Sequence, residues 1–146
     1  MKNKVQNFIS EKSLFNKEDK LILGISSGAD SVCLMHILLA LGYRFDLAHC
    51  NFNLRGNESD EDEIFVRKLA KEYQFQLHVK HFDTQMHAAK NKISTQMAAR
   101  DLRYTWFHEL LASENAKYIA IAHHANDDTE TFFINLVRRS GLKGLL

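Results

Sequence analysis

The residues best suited to chemistry lie in a short run of small side chains after an apolar segment of strand length. The run is SSGADS, at residues 26–31, and an apolar helical pattern begins at or near Asp30. Small side chains let an anion approach the backbone, and a helix N-terminus offers unpaired N–H groups and a positive dipole end. The pattern therefore predicts a phosphate-binding loop formed by Ser26, Ser27, Gly28, Ala29, Asp30 and Ser31.

Asp30 is the one acidic group in this run, and it would repel a phosphate unless a cation lay between them. Mg²⁺ is often held between a carboxylate and phosphate oxygens, so we expect Asp30 to be a magnesium ligand. The alternative is an ordinary strand-to-helix turn in which Asp30 caps the helix. The run lacks the GK[ST] of a Walker loop and does not read GxGxxG.

Segments of strand length alternate with segments of helical period along the chain. Strands are predicted at residues 20–26, 45–52, 76–82 and 118–124, and helices at 30–42, 59–73, 94–116 and 126–141. We expect the helices to be capped by Ser59, by Ser94 or Thr95, and by Asn126 or Asp127. A short amphipathic helix is expected before residue 20. This alternation predicts an α/β fold with a parallel sheet and helices on both faces.

Ligands of such folds sit beyond the carboxyl ends of the strands. The distinctive polar runs of this chain fall there, after the first, second and fourth predicted strands. They are SSGADS, HCNFNLRG and HHANDD. Three separate segments are thus expected to meet at one crevice.

The first of these runs resembles the SGGxDS motif of the PP-loop ATP pyrophosphatases, with Ser26, Gly28, Asp30 and Ser31 at matching positions. This resemblance implies a Rossmann-like domain of the adenine nucleotide α-hydrolase type. It also implies that ATP is cleaved between its α and β phosphates to activate a carbonyl oxygen as an adenylate. Ser27 departs from the family, which has glycine there, and a positive φ at that position would strain serine.

Three further segments resemble the tRNA(Ile)-lysidine synthetase branch of that superfamily. HCNFNLRGNESDEDE is similar to HxNHxLRGxxSDxDE, with Phe52 in place of a common histidine. AARDLRYTWF is similar to AARxxRYxFF. The last segment, AHHANDDTETFFINLVRRSGLKGL, is similar to AHHxDDQxETFLLRLLRGSGLxGL. The resemblance covers residues 20–146.

The resemblance implies an N-terminal catalytic domain that adenylates the wobble cytidine of tRNA(Ile) with a CAU anticodon. Free L-lysine then displaces AMP and forms lysidine, with ATP and Mg²⁺ as cofactors. The expected catalytic residues are Asp30, Arg55, Arg100, Asp127 and Glu130, and the expected magnesium ligands are Asp30 and Asp127. Asp127 and Glu130 lie three apart at a predicted helix start, a spacing that suits Mg²⁺ or the ammonium group of lysine. Tyr104 and Trp106 suit the core or a stacked base.

Composition bounds these expectations. The chain has 146 residues, a net charge of +1 and no proline, with 45% hydrophobic and 25% charged residues. That balance suits one domain over residues 1–146, and the resemblance implies that it is the catalytic domain, with residues 1–19 as a helical extension. The apolar end after a glycine-rich turn suggests a truncated chain. We expect a cytoplasmic protein without a membrane span or signal peptide, and a homodimer stays open. The net charge gives no global case for nucleic-acid binding, so RNA would need a local basic patch.

Three alternatives remain open. Another PP-loop tRNA-modifying enzyme, such as a 2-thiolation enzyme, commonly uses paired cysteines, whereas Cys33 and Cys50 lie far apart. A nucleotide-binding module without catalysis is the second alternative. The third is a zinc site formed by His123, His124 and Asp127, although adjacent histidines rarely chelate one ion.

Overall fold

The structure, a computed structural model, describes residues 2–124, 132–138 and 141–143. Helices and strands alternate through most of the described chain. Their order is α1 Lys2–Glu11, β1 Leu21–Gly24, α2 Ala29–Ala40, β2 Phe45–Asn51, α3 Asn57–Glu72, β3 Leu77–His81, α4 Thr84–Asn91, α5 Thr95–Ser113, β4 Tyr118–His124, β5 Phe132–Arg138 and β6 Gly141–Lys143. Among these, α4, β5 and β6 were not anticipated from the sequence.

All six described strands form one sheet in the order β3-β2-β1-β4-β5-β6. The strands β1 to β4 are parallel, with Leu21 opposite Phe45 on one side and opposite Tyr118 on the other. The expected α/β fold with a parallel sheet is therefore confirmed for these four strands. Because β1 lies between β2 and β4 and all three strands are parallel, their carboxyl ends lie at the same edge of the sheet.

Helices cover both faces of the sheet, as expected. On one face, α1, α2 and α3 contribute to a core with buried Ile9, Leu34 and Val66. On the other face, α5 packs through Trp106 and Leu111 against the opposite sides of the same strands. Burial of apolar surface on both faces explains why the strands read as nearly continuous apolar runs.

The prediction of a helix over residues 126–141 is wrong for the part of this segment that the structure describes. Residues 132–138 form β5, which pairs antiparallel with β4, and Gly141 begins β6 instead of ending a helix. The segment FFINLVR places apolar side chains on both faces of the sheet. Ile134 and Leu136 lie in the core on one face, and Val137 lies in the core on the other. Pairing also covers the backbone of β4, which would otherwise be an edge strand. Residues 125–131, with the expected cap residues Asn126 and Asp127, lie outside the described residues.

The helix starts agree with the sequence in one case and differ in another. Ser94 caps α5, since its side chain accepts a hydrogen bond from the Met97 N–H group. Ser59 is not the cap of α3, because that helix begins earlier and Gly56 occupies the cap position. Of the helices in the described ranges, none combines the length and apolar character that a membrane crossing requires.

Candidate functional site

The loop between β1 and α2 is folded back on itself by two serine hydroxyl groups. Ser31 Oγ accepts a hydrogen bond from the Ser26 N–H group at 3.0 Å and lies 3.0 Å from the Ser26 carbonyl oxygen. Ser26 Oγ accepts a hydrogen bond from the Gly28 N–H group at 3.1 Å. Ser31 is buried, whereas Ser26 and Gly28 are exposed. These bonds give the loop a fixed shape while its outer surface stays open to a ligand.

The helix that follows the loop has no side-chain cap. Gly28 holds the cap position of α2 with φ −68° and ψ 148°, and glycine has no side chain that could accept a hydrogen bond from the first turn. The first N–H groups of a helix have no partner within the helix, so an uncapped N-terminus attracts anions. Asp30 lies in the first turn and is half-buried. The alternative in which Asp30 caps the helix is therefore wrong.

Ser27 adopts an ordinary backbone conformation. Among non-glycine residues of the described chain, positive φ occurs at Ser13, Asn53, Gln74, Lys92 and Asn115. The strain that serine would suffer at a positive φ is therefore absent. Its hydroxyl group donates a hydrogen bond to Asp62 Oδ1 at 2.7 Å, which joins the loop to α3.

Arg55 lies at the same edge of the sheet, on the connection between β2 and α3. Its guanidinium group is 3.4 Å from Asp62 Oδ2 and 3.4 Å from Glu58 Oε2, and its side chain is 66% exposed. The backbone N–H group of Arg55 donates to Ser59 Oγ, which is the observed role of that serine. Arg55 is thus paired at a fixed place but remains reachable by an anion.

Polar side chains, among them the buried Asn51, hold this connection in place. The Asn51 amide donates to Glu63 Oε1 at 3.1 Å, and its oxygen accepts the Asn53 N–H group at 3.0 Å. Asn53 has φ 53° and donates through its side chain to the Phe82 carbonyl oxygen. Asparagine tolerates this left-handed conformation better than most residues. The turn that presents Arg55 is therefore set by side chains of β2 and its immediate continuation.

Glu63 is the carboxylate at the centre of this cluster. Burial alone would raise its pKa, but hydrogen bonds from Asn51 and Arg67 and the charges of His81 and Arg67 outweigh burial and lower it. His81 Nε2 lies 2.6 Å from Glu63 Oε1, and Arg67 Nε lies 3.0 Å from Oε2. Glu63 therefore stays ionised and connects α3 to β2 and β3.

His49 is a buried polar residue at the carboxyl end of β2. Its Nδ1 lies 2.8 Å from the Ile25 carbonyl oxygen, so Nδ1 must carry the donated proton. The other ring nitrogen, Nε2, is buried and has no hydrogen-bond partner within the described residues. The bond to Ile25 fastens the start of the loop to the neighbouring strand.

Two adjoining cavities open at this edge of the sheet. One, of about 210 Å³, has a mostly apolar wall that includes Ile25, Ala48, Phe107 and Ile121. The other, of about 290 Å³, reaches Arg55 and Asp62. Both cavities share the residues Ser26, His49, Cys50, Phe52 and Arg103. A single crevice thus joins an apolar slot to a polar mouth beside the loop.

Arg103, not Arg100, is the α5 arginine that lines this crevice. Its guanidinium carbon lies 5.3 Å from the centroid of the Phe52 ring. The structure places Arg100 in a separate groove, where its guanidinium lies over Tyr104 at 5.1 Å, beside Met97 and Asp101. Residues three apart on a helix differ in direction by about 60°, enough to separate two grooves. The expected position of Arg100 at the crevice is therefore corrected.

Cys50 lies in both cavities close to Arg103. Burial raises the pKa of its thiol to about 12, although the charge of Arg103 and a hydrogen bond to it act in the lowering direction. Cys33 and Cys50 are both free. A thiol with this pKa is protonated at neutral pH and is a poor nucleophile.

Within the described ranges, one group of three histidine and carboxylate side chains brings its ligand atoms within 4.8 Å of one another: Asp46, His78 and Glu114. These residues lie near the amino ends of β2 and β3 and at the end of α5, away from the loop. The Lys20 ammonium is 4.0 Å from Asp46 and 3.9 Å from Glu114, so this group is a charge-paired cluster.

Some expected site residues cannot be placed. Asp127 and Glu130 lie outside the described residues, as does the side chain of His124. His123 lies at an exposed position of β4. The magnesium, lysine and zinc hypotheses that involve these residues stay predictions.

Two residues of the crevice were not recognised as site residues from the sequence. His49 had a signal, since a histidine inside a buried strand needs a partner for each ring nitrogen. The sequence pointed less clearly to Arg103. Arg100 and Arg103 lie three positions apart, and this spacing does not show which of these arginines points toward the sheet edge.

Comparison with known proteins gives a match over the entire chain. A family model named for ATP binding and described as a PP-loop domain matches residues 1–146. The matched region contains the loop, the Arg55 connection and α5, which together form the crevice.

Several curated bacterial proteins are similar to this chain. A tRNA(Ile)-lysidine synthase of Bacteroides thetaiotaomicron is 45% identical over 146 residues, which is 100% of this chain and 34% of that protein. One of Porphyromonas gingivalis strain W83 is 48% identical over 144 residues, 98% of this chain and 32% of that protein. One of Clostridium acetobutylicum is 38% identical over 149 residues, 99% of this chain and 32% of that protein. The chain spans about a third of the length of these relatives.

Proposed function

The chain belongs to the family of ATP-binding PP-loop domains, and we propose that it is the adenylating part of a ligase that forms lysidine in tRNA. The C2 carbonyl oxygen of the wobble cytidine attacks the α-phosphorus of ATP and releases pyrophosphate. The ε-amine of free L-lysine then attacks carbon 2, and AMP leaves with the carbonyl oxygen. The proposed RNA is tRNA(Ile) with a CAU anticodon.

One observation carries this proposal. Two residues of the small-residue loop, Ser26 and Ser31, line the same crevice as two arginine side chains, Arg55 and Arg103, and the helix at the end of this loop has no side-chain cap. Backbone N–H groups and guanidinium groups that converge on one space suit a polyphosphate. The similarity to the lysidine synthases selects the RNA substrate among the many uses of ATP.

The two cavities suggest where the parts of ATP lie. The slot lined by Ile25, Ala48, Phe107 and Ile121 suits a flat, mostly apolar base. The polar mouth beside Ser26 and Arg55 suits the phosphate groups. ATP would therefore enter with its base between β1, β2 and α5 and its phosphates over the loop.

The arginines supply the electrostatic part of the catalysis. Negative charge develops on the phosphate oxygens as pyrophosphate leaves, and fixed donors near that charge lower the barrier. Arg103 is half-buried and held against Phe52, so it needs little reorganisation. Arg55 is more exposed and stands at the mouth, where it suits the leaving pyrophosphate.

Magnesium fits this site through Asp30. Mg²⁺ commonly uses one or two carboxylates and completes its shell with phosphate oxygens and water, so one half-buried carboxylate beside a phosphate loop is sufficient. When bound, it would neutralise phosphate charge. Asp127 is the second proposed ligand, and Glu130 is proposed to hold the ammonium group of lysine; both extend the sequence-based prediction.

Two other functions fit the site less well or differ from the proposed one only in turnover. A 2-thiolation enzyme would need a reactive cysteine, whereas Cys50 has a raised pKa and is 17 positions from Cys33. A nucleotide-binding module without catalysis would share the loop and differ in turnover. We further propose that the protein acts in the cytoplasm. A homodimer is also proposed, and light scattering would test it through the molar mass in solution.

The test is to identify the products that the protein containing this chain forms from ATP. Incubation with ATP, Mg²⁺, lysine and tRNA(Ile) should give equal amounts of AMP and pyrophosphate, and both should require the RNA. ADP and phosphate as products would contradict adenylation. Binding of ATP without any turnover would favour the non-catalytic module.

A further inference from the structure

Ser27 has a different role from its neighbours in the phosphate loop. The hydrogen bonds that shape the loop are made by Ser26 and Ser31. The Ser27 side chain takes no part in them and is exposed. Its hydroxyl group instead donates to Asp62, a residue 35 positions away on α3.

Asp62 is shared between Ser27 and Arg55, one on each carboxylate oxygen. Oδ1 accepts from the Ser27 hydroxyl group at 2.7 Å, and Oδ2 lies 3.4 Å from Arg55 Nη2. Asp62 is less exposed than Arg55, at 30% against 66% of the side chain. The short hydrogen bond to Oδ1 fixes the direction of the Asp62 carboxylate. Its second oxygen, Oδ2, therefore keeps facing Arg55.

This arrangement limits the freedom of a long side chain. A free arginine at an exposed position loses rotamer entropy when it binds an anion, and a partner that already orients it removes part of that cost. The guanidinium group carries five N–H donors, so one can remain with Asp62 while others face a phosphate. Glu58 is the more exposed partner, at 67%, and can be displaced without leaving a buried charge.

We propose that Ser27 is a positioning residue for Arg55, acting through Asp62, in the binding of the nucleotide phosphates. The inference rests on the proposed function, because it takes the crevice to bind ATP. Ser27 does not touch the ligand in this role. It sets the direction of a carboxylate, and the carboxylate sets the arginine over the loop.

A double-mutant cycle on ATP affinity tests this chain of contacts. The dissociation constant is measured by calorimetry for the unmodified chain, Ser27→Ala, Arg55→Ala and the double variant at one salt concentration. We expect Ser27→Ala to weaken ATP binding about 3- to 10-fold, the usual range for loss of one hydrogen bond. Ser27→Thr keeps a hydroxyl group and should bind ATP like the unmodified chain.

The decisive comparison is between Arg55→Ala and the double variant. If Ser27 acts through Arg55, loss of Ser27 in the Arg55→Ala background should change affinity by less than about 2-fold. If the two effects multiply, Ser27 acts on the loop itself and the inference is wrong, although ATP still binds and the proposed function stands. If the unmodified chain binds no ATP, the proposed function fails and this inference fails with it.

Discussion

Arg103 lies over the ring of Phe52, with its guanidinium carbon 5.3 Å from the ring centroid. The Phe52 ring is stacked on Phe82 at 5.5 Å, and the Phe52 carbonyl oxygen accepts a 2.7 Å hydrogen bond from Thr84. An arginine supported by an aromatic face keeps most of its N–H donors for other partners. The contact therefore prepares Arg103 for an anion in the crevice.

Replacement of Arg103 should affect the reaction more than the fold. We expect Arg103→Leu to lower kcat/KM for pyrophosphate release about 100-fold, the usual effect of removing one donor to developing charge. The apolar part of the side chain is kept, so the melting temperature should change little. Steady-state kinetics at varied ATP, together with thermal unfolding, checks both expectations.

Arg100→Leu is the matched comparison on the same helix. Because Arg100 contacts Tyr104 in a separate groove, its loss should leave kcat/KM for ATP within about 3-fold of the unmodified value. The opposite order, with Arg100→Leu the more damaging for ATP, would show that the assignment of Arg103 to the crevice is wrong.

Asp30→Asn should abolish pyrophosphate release while the protein stays folded. The carboxylate is the proposed magnesium ligand, and an amide is a much weaker one. Gly28 holds the cap position of α2, so the substitution keeps the cap, and loss of the favourable charge at the helix start should cost about 0.3–1 kcal/mol. The measurement is the rate at saturating Mg²⁺ together with the free energy of unfolding. An unchanged rate would exclude the metal role.

The thiol of Cys50 should resist alkylation. With a pKa of about 12, its thiolate fraction at pH 8 is about 1000-fold smaller than at the ordinary pKa of 9.0, and only the thiolate reacts. Iodoacetamide labelling followed by peptide mass spectrometry gives the rate, and the same reaction in urea serves as the control. Labelling of the folded protein as fast as in urea would contradict the buried, protonated thiol.

Glu63 should make stability depend on pH in the acid range. A carboxylate whose pKa is lowered on folding favours the folded state above its ordinary pKa of 4.5, and this contribution is lost as the pH falls through the lowered value. Glu63→Gln should therefore lower the free energy of unfolding by about 1 kcal/mol at pH 7. Denaturant titrations should show the difference shrinking below pH 4.5, and a difference that is constant with pH would refute the charge effect.

The sequence predicted the parallel part of the sheet well because each strand is an apolar run bounded by polar or small residues. The strand β4 was predicted with its observed bounds, and β1 and β3 within two residues at each end. The segment 132–138 was predicted to be part of a helix but forms a strand. A short apolar run fits a buried strand and a buried helix, and its period alone does not distinguish them. Its pairing with β4 decides the outcome, and pairing is a tertiary event.

The site was predictable where it depends on neighbours in sequence. The small-residue run 26–31, which leads from β1 into the first turn of α2, follows from small residues between a strand and a helix. The bond between Ser27 and Asp62 joins positions 35 apart, so no local pattern contains it. The choice between Arg100 and Arg103 depends on how α5 is rotated against the sheet, which its own sequence does not specify closely enough.

In the proposed reaction the RNA carbonyl oxygen attacks ATP, and the fate of that oxygen distinguishes this reaction from attack by water. tRNA(Ile) would be prepared with ¹⁸O at the C2 carbonyl of the wobble cytidine and incubated with ATP, Mg²⁺, lysine and the protein that carries this chain. We expect AMP that contains one ¹⁸O atom per lysidine formed, because AMP leaves with the carbonyl oxygen. AMP without ¹⁸O would mean that water, not the RNA, attacks the α-phosphorus, and the proposed reaction would be wrong.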